Sequence, residues 1–66
     1  MMTRVEFGKV WEINTVEDFN KAMETLEDNK FIANMSDDFR CWAREMAEVE
    51  KQMSAVKRMA REKGIV

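Results

Sequence analysis

Cys41 is the one thiol in this chain of 66 residues, and no histidine accompanies it. A cysteine nucleophile needs a nearby base or a strongly electropositive setting to ionise near neutral pH, and no activating partner stands close to it in sequence. One thiol without imidazole also falls short of the ligand set of a structural zinc site. Thirteen carboxylates are present, but they fall where helix starts and solvated faces want them. No glycine-rich phosphate loop and no metal-ligand spacing occurs. The expectation is a protein that is not an enzyme, with no catalytic residue, no cofactor and no metal.

Two binding chemistries remain. The first is cationic. Arg40, Arg44, Lys51, Lys57, Arg58 and Arg61 could cradle phosphates once chains assemble, and Arg44, Lys51 and Arg58 repeat at a spacing of seven. The basic run over residues 57–63 lacks the aromatic interleaving of single-strand binders, and no helix-turn-helix spacing precedes it. A nucleotide or nucleic acid is therefore the alternative ligand class. The second chemistry is apolar. Phe39, Trp42, Met46, Val49, Met53, Val56 and Ala60 follow one another at alternating spacings of three and four, an unbroken heptad seam. Met59 lies beside it. Methionine is abundant, seven in all, and its flexible thioether suits surfaces that re-pack against a partner. Trp11, outside the seam, is a candidate interface anchor. Protein–protein binding through this set is the first expectation.

These residues have to be carried by elements. Val5, Phe7, Trp11 and Ile13 share one parity, so residues 1–14 read as an extended arm or short β-strand, firmest at residues 10–13. A strand there would pair with another copy or a target, or double back at Gly8 as a hairpin. Thr15 has the character of an N-cap, with Glu17 and Asp18 in the first turn. Val16, Phe19, Met23 and Leu26 then space a short helix over residues 15–29, ended by Asn29 and Lys30. Residues 30–35 form the connection, with Phe31 and Ile32 plugging one end of the core. Ser36 is the second expected cap, followed by Asp37 and Asp38. Nothing interrupts the second helix until Gly64, which gives it residues 36–63 and about 42 Å.

The expected fold is mainly α: an arm, a short helix and a long helix packed as an antiparallel helical hairpin that oligomerises. The length mismatch carries the last part. The short helix covers Phe39 to Val49 and leaves Met53, Val56, Met59 and Ala60 for another chain. Residues 12–50 hold eleven acids and four bases, whereas residues 51–66 hold five bases and one acid. Antiparallel or offset association brings these unlike regions together, while a parallel pair sets Glu45 against Glu50. A chain this short is marginal alone, and one cysteine offers no disulfide. The single domain, the lone thiol and the lack of any stretch near twenty apolar residues suggest a cytoplasmic setting without a membrane span.

Val10-Trp11-Glu12-Ile13 leading into Thr15-Val16-Glu17-Asp18-Phe19, then Met35-Ser36-Asp37-Asp38-Phe39 opening a long charged helix, resembles the short helical proteins encoded by bacteriophages. That resemblance implies a cytoplasmic accessory protein that binds a host protein, such as an inhibitor of a host defence system or an adaptor.

Overall fold

The arm begins the construction of the fold because it seals what the helices leave open. A computed structural model of the protein describes residues 5–66. Among them there is no strand: residues 9–14 are extended but unpaired by any ladder, and the turn at Phe7 and Gly8 opens no hairpin. Gly8 takes φ +75° there, a left-handed conformation that costs side-chain-bearing residues about 1–2 kcal/mol.

Helix α1 spans Val16–Asn34. Thr15 caps it reciprocally: its Oγ1 accepts from the Asp18 amide at 3.1 Å, and Asp18 Oδ2 accepts from the Thr15 amide at 3.2 Å. Such a box is worth about 1 kcal/mol. The helix runs past Asn29 and Lys30, contrary to the sequence expectation. Leu26, Asn29 and Ala33 continue the three-and-four spacing and all three are buried, so packing overrides the weak helix preference of asparagine.

Helix α2 spans Phe39–Glu62. Its cap is Asp38, not Ser36. Asp38 Oδ1 accepts from the Arg40 and Cys41 amides at 2.9 and 3.2 Å, while the Ser36 hydroxyl is used inside the turn, donating to the Asp38 carbonyl. At the far end Gly64 adopts φ +70°. The Ile65 amide reaches the Ala60 carbonyl and the Gly64 amide the Arg61 carbonyl, which is the Schellman closure.

The two helices pack antiparallel as a hairpin, with 19 and 24 residues, or about 28 and 36 Å. The mismatch expected from the sequence is thus largely gone. What remains is filled by the arm, which follows α2 from Glu48, bonded to Gly8, to Lys63, bonded to Asn14. Ile13 is buried with Ala22, Leu26, Val49, Val56 and Ala60 in one core. Val49, Val56 and Ala60, expected at an intermolecular contact, are therefore sealed inside a single chain.

Candidate functional site

Seen as heptads from Phe39, α2 has three kinds of surface. The d residues Val49 and Val56 are fully buried. One flank, with Glu48, Gln52, Ala55 and Met59, receives the arm. The a residues Met46 and Met53 are half-buried, and Phe39 is 75% exposed. They lean toward the opposite flank, away from the arm's hydrogen bonds to Glu48 and Gln52. The Trp42–Asn34 and Lys63–Asn14 hydrogen bonds set the register of the hairpin. Met23 of α1 stands level with Met53, and Phe19 lies one turn beyond it, both half-buried. In an antiparallel pair like flanks face each other, so these four side chains and Phe39 fall on one side of the hairpin, with the half-buried Lys30 among them.

The tip end of that side is aromatic. Phe39 stacks on Trp42 with ring centroids 5.7 Å apart, and Trp42 Nε1 donates to Asn34 Oδ1 at 2.9 Å. A shallow hollow lined by Asn34, Ser36, Asp37 and the two rings lies beside them. Acids, Asp37 and Asp38, mark this end, and Lys57 and Arg61 mark the other.

The arm flank is polar at its centre. Gln52, 4% exposed, accepts from Trp11 Nε1 at 3.0 Å and donates from Nε2 to the Glu6 carbonyl at 2.6 Å and to Glu48 Oε2 at 2.8 Å. The Gly8 amide also donates to Glu48 Oε2, at 3.0 Å. The Gln52 amide first, then the Gly8 amide, hold the Glu48 carboxyl below the usual carboxylate range; partial desolvation opposes them and Lys51 assists. Lys9 Nζ sits 4.2 Å from the centre of the Trp11 ring. Trp11 is thus docked within its own chain, and Met59 lines the groove between arm and helix. Both move from the expected interface to the arm's seat.

No protein-family model, curated relative or solved structure matches this chain.

The remaining face of α2 points away from α1, and its Arg44 and Lys51 border the arm. Arg40, Arg44, Lys51, Arg58 and Arg61 all lie there, exposed, while Lys57 flanks the open side. Arg44 also leans over the Phe7 ring, 5.3 Å from its centre. The structure therefore separates the sequence candidates into an open apolar side (Phe39, Trp42, Met46, Met53) and a basic outer face. Cys41 is half-buried and its Sγ lies 3.3 Å from Glu45 Oε1. Among the described residues no group of three or more Cys, Asp or Glu side chains is placed to hold a metal ion, and no helix is long and apolar enough to cross a membrane.

Sequence reasoning missed Gln52, Glu48, Ile13 and Asn29. One signal was available for Gln52: a packed tryptophan needs an acceptor for its N–H, and Gln52 is the only glutamine in the chain. Asn29, 3% exposed, keeps its Oδ1 without a hydrogen-bond partner.

Proposed function

We propose that the protein acts by binding another polypeptide along the open side of its hairpin, and that the occupant is a second copy of the chain. The observation that carries this reading is the row Phe39, Met46, Met53, Met23 and Phe19, four half-buried side chains and one exposed ring on the flank away from the arm's hydrogen bonds to Glu48 and Gln52. Contiguous apolar surface of this kind marks association sites, and aromatic and methionine side chains are the usual anchors. Charge selects the orientation. Laid face to face and tip to end, one copy brings Lys57 over Asp37 and Asp38 of the other; laid tip to tip, like charges meet. The preference is modest and screened by salt.

The pair would then present two copies of every outward surface to a host protein, the role of an adaptor or inhibitor. A reducing cytoplasm suits the single thiol. Light scattering at tens of micromolar tests the reading. The expected mass is that of two chains, and Met53→Asp should return it to one chain with the helicity retained, because Met53 is only half-buried. A single-chain mass for the unaltered protein would overturn self-association and leave the open side to a foreign polypeptide.

A further inference from the structure

We infer that the outer face of α2 binds the phosphate backbone of a nucleic-acid duplex, independently of the open side. Positions b and f of the α2 heptads, from residue 40 to residue 61, hold Arg40, Arg44, Lys51, Arg58 and Arg61, and not one acid. The two remaining positions are Ala47 and Ser54, both small, and all of these residues are exposed. The chain as a whole carries net charge −2, so its positive charge is concentrated here while Glu17, Glu24, Glu27 and Asp28 lie exposed on α1. An approaching polyanion is drawn to one face and repelled by the other.

Among the described residues these bases are also free of close ion pairs, although Arg44 rests over the Phe7 ring. The one ion pair among the described residues is Lys9–Glu6, so none of the five has a carboxylate within 4.0 Å there. Dimensions favour a duplex over a small phosphate. From Arg40 to Arg61 the helix rises about 32 Å, close to one duplex turn of roughly 34 Å. Ala47 and Ser54 keep the middle of the face narrow, and Lys51, Ser54, Arg58 and Arg61 border a shallow hollow of about 420 Å³. A membrane surface fits less well, because this face has no large apolar side chain to insert. Contacts to phosphates carry no base sequence.

Fluorescence anisotropy with labelled duplexes of about 20 base pairs and two unrelated sequences tests this. Both should bind alike. With five phosphate contacts the slope of log K against log salt should be about −4.5, or roughly a 500-fold loss of affinity between about 50 and 200 mM salt. Arg40→Gln with Arg58→Gln should reduce the slope to about −2.7 with unchanged circular dichroism, and Lys51→Gln with Arg61→Gln should do the same. Met53→Asp should retain binding. Absence of binding at low salt, a slope unchanged in both double variants, or tighter binding to phosphatidylserine vesicles than to the duplex would overturn the inference.

Discussion

Single side chains set the cost and the sensitivity of this small fold. Asn29 spends a core position on an amide whose Oδ1 is unpaired, a loss of about 1–3 kcal/mol. Asn29→Leu keeps the branching pattern and adds helix preference, so the thermal midpoint should rise, with a gain of about 1–2 kcal/mol by chemical denaturation. Glu48 gives a pH dependence. Its folded pKa is depressed, so the stabilisation it provides is complete above the unfolded carboxyl pKa and disappears as pH falls through the lower folded value. In a Trp42→Phe background, Trp11 fluorescence should report the arm leaving α2 on acidification, and Glu48→Gln should flatten that response. Neither residue was legible in advance. Asn29 has the composition of a helix stop, and only the burial of Leu26 and Ala33 on either side of it turns it into core.

At the level of elements, the ends of the helices were readable and the arm was not. Thr15 with Asp18, and Gly64 after a basic turn, announce themselves because caps depend on neighbours a few residues away. The arm depends on Gln52 and Glu48, more than 40 residues distant in the chain for most of its bonds, and no periodicity records such a distance. The same gap explains the misplaced interface: a and d residues look alike in sequence, and the arm decides which flank of the seam is closed. Ile13→Ala should cost about 2–4 kcal/mol, the range for a buried isoleucine. Gln52→Leu should free the arm with the hairpin intact, seen as a red shift of Trp11 emission and loss of protection at the Gly8 amide in hydrogen exchange. If the helices unfold together with the arm, the arm is not a separable element.

For the whole molecule, the distinction that matters is between the seam's sealed and open residues. Val56→Asp buries an unpaired charge and should unfold the chain, whereas Met46→Asp and Met53→Asp should change mass and leave helicity. Circular dichroism with light scattering separates the two outcomes. Lys57→Cys in a Cys41→Ser background should resist disulfide formation in oxidising buffer, since tip-to-end packing holds the two positions far apart; ready cross-linking would mean tip-to-tip packing. The bond from Lys63 to Asn14, 49 residues apart, has a consequence in time. When the arm docks, it closes a loop of 49 residues. Until α2 has packed on α1, Ile13 has no core to enter, and until Gln52 is in place Trp11 has no acceptor. Closure of so long a loop follows local helix formation, so in stopped-flow refolding of a Trp42→Phe variant the Trp11 emission should shift after the helical circular dichroism has appeared; simultaneous changes would show that arm and hairpin fold as one unit.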